Sequence, residues 1–215
     1  MSHEVVVIDY GVGNIFSVRR AFEFCGAKVV VSDDPQIIFN AQRLVLPGVG
    51  AFADGMQGLA DRGLDKIICD FASTNRPLLG ICLGMQMLTT MSEEFGNHSG
   101  LGIIPGKVIP LPKFNPYGDV NKVPFVGWAD LQYSNCTSSW QDTILDDINA
   151  GESVYLTHSY SVLPNDLSQA LASCNYAGSE IFTAIKKEKI YGVQFHPEKS
   201  GPVGLRIIRN FSIMN

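Results

Sequence analysis

The sequence predicts an α/β fold: a mainly parallel central sheet flanked by helices, with antiparallel strands added. Three observations predict it. Before Gly100, short β-branched apolar runs alternate with segments of helical periodicity, the pattern of a sheet covered on both faces. After Gly100 the runs become strand-like and closely spaced, so antiparallel hairpins are expected there. Glycines and prolines mark the ends of these runs throughout.

A buried strand is expected over residues 5–9. Asn14 then caps a helix reaching about Cys25, stopped by Gly26. Residues 28–31 form a second strand and 43–46 a third, ended by Pro47-Gly48. Over 64–73, Leu64, Ile67, Ile68 and Phe71 fall on one helical face. A fourth strand, 78–81, leads into Cys82, and a helix over 84–91 leaves it. Beyond Gly100, strands are expected over 103–109, 123–128, 154–162, 170–176, 182–186 and 190–195, added to one side of the sheet. A short helix is expected over 140–148, capped by Ser138 or Ser139. Residues 114–121 read as a Pro/Gly/Asn surface loop. An amphipathic helix over 201–213 turns Leu205, Ile208 and Phe211 inward. No repeat, low-complexity tract or linker interrupts the 215 residues, and one domain over 1–215 is expected.

Composition narrows the function. Charged residues are 17% and hydrophobic residues 46%, as in a globular chain. The net charge is −5 and no basic run stands out, which argues against nucleic acid as a partner. No apolar stretch is long enough to span a bilayer, so no membrane association is expected. The start, Met1-Ser2-His3-Glu4, has no basic region or small-residue cleavage site, so no leader is expected. The five cysteines are dispersed and contain no C-x-x-C. That fits reduced thiols in a cytoplasmic protein and gives no metal framework.

The chemistry centres on Gly80-Ile81-Cys82-Leu83-Gly84-Met85-Gln86. A cysteine between two glycines at the end of an apolar run reads as a nucleophile elbow: strand, sharp turn, helix. The helix start would favour a thiolate, and nearby N–H groups could hold an oxyanion. A buried structural cysteine is the competing reading of Cys82 alone. Downstream, a strand ends in His196-Pro197-Glu198. Pro197 favours an extended His196, and residues two apart in an extended segment share a side. Glu198 can then orient His196 as a base, completing nucleophile, base and orienter. Of the four histidines, His196 is the best base. His158 is either a satisfied core histidine or part of a pocket wall. Pro47-Gly48-Val49-Gly50 reads as an ordinary strand-to-helix turn or as an oxyanion donor beside the N–H of Leu83. Gly11-Val12-Gly13-Asn14 resembles a dinucleotide loop, but Phe16 stands where a third glycine is needed and no Walker motif is present. No nucleotide or other cofactor is therefore expected.

With Gly192-Val193-Gln194-Phe195-His196-Pro197-Glu198-Lys199-Ser200-Gly201 downstream of the elbow, the chain resembles the class I (triad) glutamine amidotransferases nearly end to end. Tyr10-Gly11-Val12-Gly13-Asn14, Pro47-Gly48-Val49-Gly50, Ser92-Glu93-Glu94 and Gly127-Trp128 resemble one branch, the glutaminase subunits of imidazole glycerol phosphate synthase. The resemblance implies a flavodoxin-like amidotransferase fold and hydrolysis of L-glutamine to glutamate and ammonia by Cys82, His196 and Glu198. It implies an oxyanion hole from the N–H groups of Leu83 and Val49. Gly48, Gly50, Gln86, Glu94, Ser159 and Tyr160 match positions that hold the glutamine, Glu94 facing its ammonium. It also implies a heterodimer with a (β/α)₈-barrel cyclase that receives the ammonia, Asn14 and Trp128 lying near that interface.

One departure stands out. The family reads Pro-His-x-Gly-Trp-Asn where this chain has Pro124-Phe125-Val126-Gly127-Trp128-Ala129. Close paralogues deliver ammonia for amidination of a surface-polysaccharide sugar, and that is the alternative partner reading. A free-standing γ-glutamyl cysteine hydrolase and a non-catalytic binding subunit are two further readings.

Overall fold

The computed structural model describes residues 3–214. The reading of Met1 and Ser2 as free of a leader falls outside that range. The chain begins β1 (Glu4–Ile8), α1 (Ile15–Phe24), β2 (Lys28–Ser32), α2 (Pro35–Phe39), β3 (Leu44–Gly48). It continues α3 (Phe52–Ala60), α4 (Leu64–Ser73), β4 (Leu78–Cys82), α5 (Leu83–Met87). Then come β5 (Met91–Ser92), β6 (His98–Ser99), β7 (Gly106–Pro110), β8 (Phe125–Asp130) and β9 (Gln132–Tyr133). The last elements are β10 (Ser153–His158), β11 (Tyr160–Pro164), β12 (Ala170–Tyr176), β13 (Ser179–Lys187), β14 (Ile190–Val193) and α6 (Gly201–Ile213).

The central sheet has the order β2-β1-β3-β4-β14-β13-β12-β9. From β2 to β14 every pairing is parallel, and from β14 to β9 every pairing is antiparallel. Val5, Val7 and Val45 enter one apolar cluster, whereas Val6, Ile8, Leu44 and Leu46 enter another. Alternate side chains thus feed the two faces, which is why β1 and β3 read as continuous apolar runs.

Capping chemistry sets the helix ends. Asn14 accepts a hydrogen bond from the Ser17 N–H and Gly26 follows α1 at φ 86°. Asp34 accepts from the Gln36 and Ile37 N–H groups with Pro35 at the first helical position. That Asp-Pro pair signals α2, a helix the sequence reading did not include.

Five expectations need correction. The helix after Cys82 is not 84–91: α5 has 5 residues and ends where the Thr89 hydroxyl bonds the Gln86 carbonyl. The expected strand 154–162 is two strands, β10 and β11, divided at Ser159 and lying in different sheets. Consequently not all later strands join the central sheet: β10 pairs with β8 alone, and β11-β7-β5-β6 form a third sheet. Residues 140–148 are turns rather than a helix, because Asp142 and Asp147 sit at φ 58° and 59°, which a helix cannot contain. In α6 it is Ile207, with Ile208 and Phe211, that is buried, while Leu205 is only partly covered. Among the described residues no helix is long and apolar enough to cross a membrane.

Candidate active site

Strands β3, β4 and β14 lie side by side in the middle of the sheet, with Gly48 opposite Cys82 and Ile81 opposite Val193. Their carboxyl ends therefore converge, where open α/β sheets place their sites. Cys82 leaves β4 at φ 55°, ψ −110°, a costly conformation for a non-glycine residue that clusters at functional sites. The surrounding glycines permit it. A Cβ on Gly84 would lie 1.8 Å from the Leu46 carbonyl oxygen, and one on Gly80 would lie 2.7 Å from the Gly84 backbone. The elbow expected from the sequence is present, but α5 behind it is too short for a full helix dipole.

His196 follows β14, its N–H held by the Tyr155 carbonyl at 3.0 Å. Its Nδ1–H donates to Glu198 Oε1 at 2.9 Å, and both side chains are almost fully buried. The expected pair forms, but by a different route. Residues Pro197–Lys199 make a 3-10 turn rather than an extended segment, and the turn brings Glu198 back beneath the imidazole. Gly204 of α6 lets this turn seat closely, since a Cβ there would lie 1.9 Å from the Pro197 carbonyl oxygen.

The other ring nitrogen of His196, Nε2, has no hydrogen bond of ordinary geometry among the described residues. The imidazole nevertheless shares its cavity with the Cys82 thiol and is acted on by it. Burial pushes the imidazole pKa down, but contacts with Cys82 and then Glu198 outweigh it and hold the value at about 9. Tyr10, at the end of β1, donates its buried hydroxyl to the Pro47 carbonyl at 2.8 Å. Burial, with Cys82 nearby, raises that phenol above its ordinary range.

Cys82 and His196 open onto a cavity of about 300 Å³, at the small end of ligand sites, which span about 300–1,000 Å³. Val49, Gly50, Leu83, Gln86, Glu94, Ser159 and Tyr160 also line it, so nearly all the expected substrate positions come together. Gly48 stands just behind, under the Tyr10 hydroxyl and Leu83. Glu198 does not line the cavity and connects to it through its hydrogen bond to His196. Asn14 is spent capping α1 and Trp128 is an exposed side chain of β8; neither lines the cavity.

Two lining residues, Pro124 and Thr157, were not assigned to a site from sequence, and His158 was left between two readings. The two readings of His158 are both realised. It is buried, its Nδ1–H donates to the Tyr160 carbonyl at 2.8 Å, and it forms part of the wall. Burial drives its pKa down to about 4 against the Tyr160 contact, with His196 adding to the depression. Phe125, in place of the family's histidine, stacks on Tyr176 at 4.8 Å and lies 5.9 Å from the His158 ring.

An elbow cysteine beside a carboxylate-oriented histidine, at the strand ends of a mainly parallel sheet, defines the class of the molecule: an α/β fold that brings a thiol, an imidazole and a carboxylate together at one cavity. Sequence comparison is specific. The family model for glutamine amidotransferase class-I matches residues 6–215, and the chain belongs to that family, an enzyme family. It is 47% identical over 207 residues to the imidazole glycerol phosphate synthase subunit HisH 1 of Legionella pneumophila strain Lens, covering 96% of this chain and 97% of that one. It is 45% identical over 211 residues to the imidazole glycerol phosphate synthase subunit HisH of Syntrophotalea carbinolica, covering 98% and 100%. Among solved structures, PurLQS from Thermotoga maritima superposes with a TM-score of 0.69 over 98% of each chain at 19% identity, a likeness of fold alone.

Proposed function

We propose that the chain is the glutaminase subunit of a two-protein imidazole glycerol phosphate synthase, working in cytoplasmic histidine biosynthesis. The observation that carries the chemistry is one juxtaposition. The Cys82 thiol and the His196–Glu198 pair meet at a cavity that also holds the carboxylate of Glu94. An amino-acid zwitterion needs such a carboxylate for its ammonium and donors for its own carboxylate, the latter supplied around Ser159 and Tyr160.

Cys82 Sγ attacks the side-chain amide carbon of L-glutamine. The N–H groups of Leu83 and Val49 receive the oxyanion. His196 delivers a proton to the departing ammonia and Glu198 keeps the imidazole oriented. Water, deprotonated by His196, then hydrolyses the thioester to glutamate and restores the thiol. Glutamine and water become glutamate and ammonia. The ammonia passes to a separate (β/α)₈-barrel cyclase, which makes imidazole glycerol phosphate and AICAR; Asn14 and Trp128 face that subunit. The relatives at 45–47% identity support the pathway.

A second reading, ammonia supply for sugar amidination, is favoured by Phe125 and Ala129 in β8, where the family pattern has histidine and asparagine. The experiment is glutamate release from glutamine by the purified chain, alone and with the histidine-pathway cyclase and its nucleotide ligand. Strong stimulation, lost in Cys82→Ala, is expected. Labelling of Cys82 by a glutamine-like electrophile without stimulation by the cyclase would move the assignment to the second reading.

A further inference from the structure

Among the described residues Gln194 is the one fully buried amide at the strand ends, and the reaction described above makes no use of it. It is 0% exposed. Its backbone N–H is held by the Thr183 carbonyl at 2.8 Å, so the residue is fixed at the end of β14. Its side chain has two polar partners. Oε1 accepts from Gln86 Nε2 at 3.0 Å, and Nε2 donates to Cys82 Sγ at 3.7 Å.

The direction of this chain of bonds is fixed from outside. Gln86 Nε2 also donates to the Tyr160 carbonyl at 3.2 Å, and the same carbonyl receives the His158 Nδ1–H at 2.8 Å. A backbone carbonyl can only accept. The Gln86 NH₂ must therefore point at it, and the remaining N–H of Gln86 must meet an oxygen. That places Oε1 of Gln194 toward Gln86 and its NH₂ toward the sulfur. Flipping either amide would set like atoms together in a buried site, at a cost that buried polar networks do not tolerate. A sulfur is a weak acceptor as a thiol and a strong one as a thiolate, so a donor held on it favours the nucleophilic form.

We propose that Gln194 acts directly on the nucleophile, its NH₂ bonded to Cys82 Sγ and its orientation set by Gln86 and the Tyr160 carbonyl. This rests on Cys82 being the glutaminase nucleophile, and it extends that reading to a fourth side chain. It has a corollary for Gln86. Both amide hydrogens of Gln86 are engaged, so only its Oε1 is free toward the cavity, and Gln86 meets the substrate as an acceptor.

Other titratable groups also face the sulfur: His196, backed by Glu198, from the segment after β14, and Tyr10 from the end of β1. His158, at the end of β10, acts on the same cluster through His196. The test must isolate Gln194 from these. The experiment is alkylation of Cys82 by iodoacetamide across pH, read by mass spectrometry on the Cys82 peptide, for wild type, Gln194→Met and Gln194→Glu. Iodoacetamide needs no glutamine site. Gln194→Met keeps the length and removes the donor. Gln194→Glu keeps the acceptor for Gln86 and puts a carboxyl group where the donor was. Because that group also brings negative charge toward the sulfur, slowed alkylation counts for the proposal only where Gln194→Met shows it too. An unchanged profile in Gln194→Glu overturns it even if the methionine variant fails to fold.

Both variants are expected to alkylate about tenfold more slowly at neutral pH, the size of one hydrogen bond to a charged group, with the pH profile displaced upward. In Gln194→Glu, which leaves Gln86 its acceptor, the kcat of glutamate release should fall in parallel while KM stays within about twofold of wild type. A wild-type profile in Gln194→Glu would mean that Gln194 merely satisfies Gln86, and would overturn the proposal. Normal glutamate release with no alkylation change also overturns it, leaving the glutaminase reading intact. Displaced alkylation in a chain that releases no glutamate would support the Gln194 contact and sink the glutaminase reading instead.

Discussion

Glu94, beyond β5, reaches across to the first residue of α3: its Oε2 accepts a 2.6 Å hydrogen bond from the Phe52 N–H. The carboxylate expected to face the glutamine ammonium is thus anchored to the helix that follows the 48–50 turn. Among the described residues only one oxygen is used, so the other is available to a ligand. Glu94→Gln retains an oxygen for Phe52 and loses the charge. Its KM for glutamine is expected to rise about tenfold or more, the scale of a charge-assisted hydrogen bond, with little change in melting temperature. Glu94→Ala removes both roles and should cost stability as well. An unchanged KM in Glu94→Gln would remove Glu94 from ammonium binding.

Gly84 and the Leu46 carbonyl are in the tightest approach of the elbow. The 1.8 Å separation of a Cβ on Gly84 from that oxygen leaves no flexible partner to yield, since both sides are backbone. Gly84→Ala is expected to destabilise by about 3 kcal/mol or more, the upper range for overpacking, and to displace Cys82. Urea denaturation with glutamate release reads both. A variant as stable as wild type, with full activity, would show that the elbow is not built on this contact.

Legibility followed locality. The bounds of α4 and α6 matched the sequence because a 3.6-residue apolar period and flanking glycines act within one segment. Cys82, His196 and Glu198 were legible because each sits in a short string with its own backbone logic. The break at Ser159 was not, because the apolar alternation runs on through it and only the pairing of β10 with β8 and of β11 with β7 divides the strands. The turns at Asp142 and Asp147 hide behind apolar spacing that fits a helix. Gln194 was invisible as a site residue for the same reason: its partners are 108 and 112 positions away. Helix α2 is different, since Asp34-Pro35 was a local signal that was missed.

Trp128 lies in β8 with more than half its surface exposed, touching Tyr155 of β10 edge-on at 6.0 Å. An exposed aromatic contributes little to folding and much to an interface core. Trp128→Ala is expected to leave the basal glutamate release of the isolated chain within about twofold and its stability within about 0.5 kcal/mol, as for ordinary surface changes. Stimulation by the cyclase should fall severalfold. Full stimulation in the variant would take Trp128 out of the partner surface.

His158 and His196 give the fold opposing pH dependences. The folded state holds His158 at about 4, against an ordinary value of 6.5. Between these the unfolded chain binds more protons, so this contribution is full above about 6.5 and is lost as pH falls through about 4. The folded state holds His196 at about 9. There the folded chain binds more protons, so the contribution is full below about 6.5 and is lost as pH rises through about 9. The urea midpoint difference between wild type and His158→Asn should therefore change on the acid side only. For Cys82→Ala the change should be on the alkaline side, because the first group that raises His196 is gone. Histidine ring proton resonances read the same effect site by site. In Cys82→Ala the His196 midpoint should drop from about 9, with burial then opposed by Glu198 alone, while His158 stays neutral to about pH 4. A His196 midpoint unmoved by loss of the thiol would mean that Glu198, rather than the nucleophile, holds its proton.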